Sequence, residues 1–187
     1  MKKKFIDPNT VASVEGGIKL SHIKWFEIKH IYSISLEGRK RLRKIFPIER
    51  ECLFFGSVEP AVVVSVKPLL ISVYSEDMDA VLLLQFAPAY VERYSLSIGS
   101  RLISVNTYGN ERALSNDIFV GEGYSGDWTD FTPHIADFLS RDTKKINEHK
   151  ANISENQWSY VEKLGKEYLQ EHSELSRNGF WFIKKRL

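Results

Sequence analysis

The sequence predicts an α+β domain: a mainly antiparallel sheet with an N-terminal mixed segment and two C-terminal helices packed on it. Three observations point there. Residues 52–120 hold a succession of short apolar runs, and the turn joining 69–74 to 80–86 is too short for a parallel crossover. Residues 132–179 carry apolar side chains at three- and four-residue steps behind residue types that cap helices. The chain has 187 residues, 43% of them hydrophobic, which suits a single domain with its own core. The expected layout is a basic helical or mixed segment over 1–50, a sheet over 51–120, helices over 132–179, and an apolar-then-basic tail over 180–187.

The elements follow in order. Asp7-Pro8-Asn9-Thr10 reads as a turn or a helix start, and Gly16-Gly17 as a break. Residues 18–36 fit two periods. Phe26, Ile28, Tyr32, Ile34 and Leu36 alternate like a strand, whereas Leu20, Ile23, Ile31 and Ile34 suit a helical stripe. The reading adopted is helix early and extended chain late. A short helix is expected over 39–46, stopped by Pro47. The run 52–56 opens the sheet. Residues 61–66, 69–74 and 80–86 read as strands of a hairpin or meander, with Pro68 at a bulge or an edge. Pro88 opens a short helix, and 101–108 and 117–120 add strands. Thr132 and Pro133 read as a helix start, with that helix reaching at least Lys145. Ser154 starts the clearest amphipathic helix, with Trp158, Val161, Leu164 and Tyr168 on one stripe, and Asn178-Gly179 ends it. Phe180, Trp181, Phe182 and Ile183 are expected to dock on the domain, since four large apolar side chains left in water promote aggregation.

Composition bounds the class of protein. One cysteine excludes a disulfide within the chain. Cys52, beside Leu53, Phe54 and Phe55, reads as a buried small hydrophobe rather than a reactive thiol. No apolar run follows the basic start as a signal peptide requires, and the most hydrophobic stretch, 61–86, is interrupted by Lys67, Pro68, Glu76, Asp77 and Asp79. The expectation is a soluble, cytoplasmic protein with no membrane span and no cofactor.

Charge is divided along the chain. The net charge is +2, yet residues 1–50 carry twelve cations against five acids, residues 51–143 five against thirteen, and residues 144–187 nine against six. The densest cluster is Arg39, Lys40, Arg41, Arg43 and Lys44, a candidate contact for nucleic acid or another anionic surface. The better reading of the cluster taken alone is a solvated helix face with Leu42, Ile45 and Phe46 turned inward. No helix-turn-helix, zinc-finger or RNP-like pattern accompanies it.

Gly121-Glu-Gly-Tyr-Ser-Gly126 matches G-x-G-x-x-G, but no helix follows at once and Glu122 and Asp127 would repel phosphate. A flexible glycine loop is the better reading. Ser125 lacks the second glycine of a nucleophile elbow. Residues 127–137 bring Asp127, Asp130, His134 and Asp137 within eleven positions, enough for an acid–base pair or a metal-assisted site, and also ordinary capping chemistry. None of the five histidines is spaced for zinc. Tyr124 and Trp128 fall in turns beside these acids, as recognition residues often do.

A complete catalytic set is missing, so the sequence favours a non-catalytic binding or regulatory protein, of bacterial character by its size. It would meet another protein through Tyr124, Asp127, Trp128, Asp130, His134 and Asp137. The alternatives are a metal-assisted hydrolase built on Asp127, Asp130, His134 and Asp137, and nucleic-acid or anionic-surface binding through the basic cluster, with nucleic acid ranked below a protein partner.

Overall fold

The computed structural model describes residues 3–6, 12–109, 113–172 and 174–183. The turn or helix start expected at 7–10 and the basic end of the tail lie outside them.

Helix α1 (His22–Ile31) starts at Ser21, whose hydroxyl accepts the Lys24 N–H, and buries Trp25 and Ile28. After a tight turn through Ser33 (φ 46°), Ser35 caps α2 (Leu36–Phe55) by accepting the Gly38 N–H. The extended segment expected late in residues 18–36 is therefore replaced by a helix–turn–helix corner. Ile34 belongs to both patterns, and the serine caps decide between them. A second correction concerns Pro47, which does not stop α2. Proline inside a helix costs about 3 kcal/mol. Leu42, Ile45, Cys52 and Leu53 lie on one side and are buried. Each large apolar side chain so buried is worth roughly 1.5–3 kcal/mol, which outweighs the proline. The run assigned to the start of the sheet, 52–56, is thus the last turn of α2 and its C-cap, and Cys52 is buried there as a small hydrophobe.

Strands β1 (Ser57–Val66), β2 (Leu69–Ser75) and β3 (Ala80–Phe86) form the antiparallel meander. Val66 pairs with Leu69, so Pro68 occupies a two-residue turn and the bulge lies in β1, between Val63 and Ser65. After α3 (Ala89–Arg93), β4 (Arg101–Gly109) returns to the free edge of β1. The short β5 (Phe119–Val120) adds to β3, and β6 (Asp130–Ile135) adds to β4 with Val105 opposite His134. Thr132 and Pro133 are therefore strand residues and not a helix start. β6 closes the sheet order β5-β3-β2-β1-β4-β6, and an edge strand tolerates proline's missing N–H donor.

Three helices follow where two were expected: α4 (Ala136–Leu139), α5 (Thr143–Asn152) capped by Asp142, and α6 (Glu155–Glu171) with a Ser154–Gln157 capping box. α6 stops at Glu171, well before Asn178-Gly179. Instead Asn178 belongs to β7 (Arg177–Asn178), which pairs in parallel with β3. The tail docks as its composition requires. Phe180 and Phe182 are buried, the first against Phe86 and Tyr90 and the second against Trp25, while Trp181 stays at the surface.

α6 lies across β1, β2 and β3, with Trp158, Val161, Leu164 and Tyr168 inward. Its closest approach is at Gly165, where a Cβ would run into the Ser72 side chain and crowd Val64. Helix propensity alone favours alanine there by about 1 kcal/mol. Overpacking of this kind costs about 1–3 kcal/mol, and the clash falls on atoms fixed to the sheet. Gly165→Ala is expected to lower the urea midpoint despite the propensity gain. Gly109→Ala, where a Cβ has open space, is expected to leave it nearly unchanged.

Candidate functional site

The glycine loop is organised by a carboxylate of the chain itself. Asp79 sits in the β2–β3 turn and accepts hydrogen bonds from the Tyr74 hydroxyl (2.8 Å), the Tyr160 hydroxyl (3.0 Å) and the Gly123 N–H (2.7 Å). Its carbonyl accepts the Gly121 N–H at 2.6 Å. The amides that a dinucleotide motif would turn toward a phosphate thus meet an internal anion. The Ser125 hydroxyl is spent on the Asp77 carbonyl at 2.8 Å.

The residues singled out around this loop separate into different roles. The Tyr124 hydroxyl donates to the Trp128 carbonyl at 3.1 Å, and the Trp128 ring packs 5.4 Å from Tyr108. Asp127 is exposed. Asp130 shares Arg177 with Asp117. The guanidinium gives two bonds of 2.6 Å to Asp117, one of 2.8 Å to Asp130 and one of 2.8 Å to the Phe131 carbonyl. Burial pushes the Asp117 carboxyl up, but the hydrogen bonds and charge of Arg177 hold it below its ordinary value. Asp137 accepts the Ile103 N–H at 2.8 Å and the Lys150 ammonium at 2.6 Å, joining β4, α4 and α5. His134 points inward, with Nδ1 2.8 Å from Glu49 Oε2. Asp130 and His134 are four strand residues apart, about 13 Å, and Asp137 is turned to Lys150. The structure therefore does not assemble Asp127, Asp130, His134 and Asp137 into one centre. Among the described residues no group of His, Cys, Asp and Glu is placed to hold a metal ion.

A cluster missed by sequence reading lies beneath. Glu49 and Cys52, three apart on α2, face His134 across from β6. Glu49 accepts from His134 on one oxygen and from the Trp181 indole N–H on the other, at 2.8 Å each. Burial alone would lower the His134 pKa, but Glu49, with Cys52 adding, holds it well above the ordinary histidine range. The signal was present as Glu49-x-x-Cys52, yet it has meaning only if α2 continues past Pro47.

The basic cluster has no such partners. Arg39, Lys40, Arg41, Arg43 and Lys44 are all exposed, and among the described residues none of them enters an ion pair. The other helices differ: on α6, Lys166 pairs with Glu162 and Lys163 with Glu167. Leu36, 75% exposed, precedes Arg39 and Lys40 by three and four residues and so shares their side of α2. α1 runs beside α2, as the stacking of His22 on Phe46 at 4.4 Å fixes. Its open face carries Ile23 and Phe26, each more than half exposed, with the Lys29 ammonium 4.7 Å from the Phe26 ring. A pocket of about 420 Å³ opens at the corner between the helices, lined in part by Tyr32, Ile34, Arg41 and Phe182.

No protein-family model matches the chain, and no curated protein matches it. One solved structure shows a distant likeness, described as "a putative membrane protein from Corynebacterium diphtheriae", at 17% identity and a TM-score of 0.46, covering 64% of this chain and 95% of that one. At that distance it bears on neither site nor function.

The acidic end makes a prediction of its own. Glu59 is buried between Ser57 and Tyr108, and burial, reinforced by Glu76 and Asp77, raises its carboxyl well above the ordinary value. The folded state therefore keeps a proton that the unfolded chain releases in the ordinary glutamate range. Stability falls as pH rises through that range toward the folded pKa. Glu59→Gln is expected to raise the Tm at about pH 7 by roughly 3 °C or more, and the gain is expected to vanish near pH 4.

Proposed function

We propose that the chain binds anionic membrane surfaces, with the α1–α2 corner lying in the plane of the lipid headgroups. The supporting observation is a row of exposed cations, Arg39, Lys40, Arg41, Arg43 and Lys44, without ion-pair partners among the described residues, on the helix that exposes Leu36, while the neighbouring α1 exposes Phe26 and Ile23. A cation held near an anionic bilayer contributes about 1 kcal/mol. The five together supply about 5 kcal/mol. Partial insertion of Leu36 and Phe26 adds on the order of 3 kcal/mol more, which is the range of micromolar binding. The apolar members favour lipid over nucleic acid, because a phosphodiester backbone offers them nothing to bury against. No helix among the described residues is long and apolar enough to cross a membrane, so the contact proposed is an interfacial one.

A second reading, a basic protein partner meeting the loop of Tyr124, Asp127 and Trp128, draws support from the exposure of Glu76, Glu122 and Asp127 at that end. Vesicle cosedimentation separates the two. Binding to vesicles containing phosphatidylserine is expected, with little binding to phosphatidylcholine alone and a steep loss with added salt. Replacing Lys40, Arg43 and Lys44 by glutamine is expected to weaken it about 100-fold. Glu122→Gln with Asp127→Asn is expected to leave it unchanged. Equal binding to neutral vesicles, or tighter binding to duplex DNA than to anionic vesicles at the same salt, contradicts the proposal.

A further inference from the structure

The pocket of about 420 Å³ at the α1–α2 corner carries both signs of charge, because Glu37 and Arg41 line it together. Its size falls within the roughly 300–1,000 Å³ of small-molecule sites. Contacts of the fold fix its walls. The Tyr32 hydroxyl accepts the Ala87 N–H at 3.1 Å, and the Tyr32 ring meets Phe180 edge-on at 5.7 Å. Phe182 is buried against Trp25, and the Ile183 carbonyl accepts from the Asn178 side chain at 2.8 Å. With Leu42, also buried, these side chains make the apolar part of the lining.

Glu37 and Arg41 stand four residues apart with the acid first, the order that favours an ion pair on a helix. On α6 the same spacing closes, with the Lys166 ammonium 2.6 Å from Glu162. At the corner both side chains are exposed, and among the described residues neither enters an ion pair. The helix dipole favours an acid in the first turn, but it places no demand on Arg41. The two Cβ atoms lie roughly 5–6 Å apart, so the pocket offers one group to a cation and one to an anion of the same small molecule.

We infer that the pocket takes the headgroup of an aminophospholipid, with its primary ammonium on Glu37, its phosphate on Arg41 and its glycerol end against Leu42 and Phe182. The assignment rests on the lipid contact proposed for α2 and selects among anionic lipids. In such a headgroup two carbons join the phosphate to the ammonium, a separation that both side chains grip at once. A guanidinium pairs well with phosphate. Nucleic acid and phosphatidylglycerol offer Glu37 no cation, and their phosphates are repelled by it.

Phosphatidylcholine vesicles containing an equal fraction of either phosphatidylserine or phosphatidylglycerol test this. The two anionic lipids carry the same net charge, and only the first has an ammonium. The full-length chain is expected to bind the phosphatidylserine vesicles about tenfold more tightly at one salt concentration, the effect of one hydrogen-bonded charge pair. Glu37→Gln, at an exposed position, is expected to keep the native circular dichroism and to remove the preference. An acid that only repels the bilayer would, once neutralised, strengthen binding to both vesicles by a common factor and leave their ratio as it was. Equal binding of the native chain to the two vesicles overturns the headgroup assignment and leaves the surface contact standing. A preference that Glu37→Gln preserves overturns the assignment as well. Binding to neither vesicle overturns the surface contact and the assignment with it.

Discussion

Much of the molecule depends on α2 remaining a single helix through Pro47. Without that continuity the chain after Phe46 would leave the helix axis, and Glu49, Cys52 and Leu53 could not share the inward side held by Leu42 and Ile45. With it, one side of a 20-residue helix is pressed on β4 and β6 and the other carries cations into solvent. The same last turns also fasten the N-terminal segment. Glu51 accepts the N–H groups of Lys4, Phe5 and Ile6 on one carboxylate oxygen, at 2.6, 2.5 and 3.0 Å. Burial raises that carboxyl, but the three N–H donors hold it below its ordinary value.

The division of charge along the chain acquires its meaning from which charges the fold consumes. The acid-rich middle spends many of its carboxylates internally: Asp79 on the glycine loop, Asp117 and Asp130 on Arg177, Asp137 on Lys150. The basic first fifty residues lose Glu49 to His134, and among the described residues Arg39, Lys40, Arg41, Arg43 and Lys44 of α2 form no ion pair. An isolated surface ion pair contributes little to stability, so α2 gives up little by leaving them unpaired. A row of cations that, among the described residues, form no ion pair, on a helix that also exposes Leu36, attracts an anionic interface far more than it supports the fold.

The sequence made some of this legible and hid the rest for identifiable reasons. The meander was readable because its β-branched runs are interrupted by short turns, and the alternation of residues 101–108 marked β4. The stripe from Trp158 to Tyr168 marked α6. The cationic cluster was evident in the letters, though its freedom from partners was not. Both proline errors came from applying a local rule where tertiary context prevailed. Pro47 is tolerated because the apolar side of α2 continues beyond it. Pro133 is tolerated because β6 is an edge strand, which no local pattern announces. The proximity of Asp127, Asp130, His134 and Asp137 in sequence dissolved because three of them sit on a strand or a short helix with separate partners. The Glu49–His134 contact joins residues 85 apart, and no spacing in the chain encodes it. The glycine loop shows the same limit, since its anion, Asp79, is 44 residues from Gly123.

The account stands on the outer side of α2 meeting lipid while the rest of the surface does not. An environment-sensitive fluorophore tests this directly, attached at Leu36→Cys in a Cys52→Ser background and, separately, at Lys163→Cys on α6, where the cations are already paired. On addition of anionic vesicles, the probe at position 36 is predicted to shift to the blue as it enters the interface, with the probe at position 163 unchanged. No shift at position 36, or an equal shift at both positions, contradicts the account.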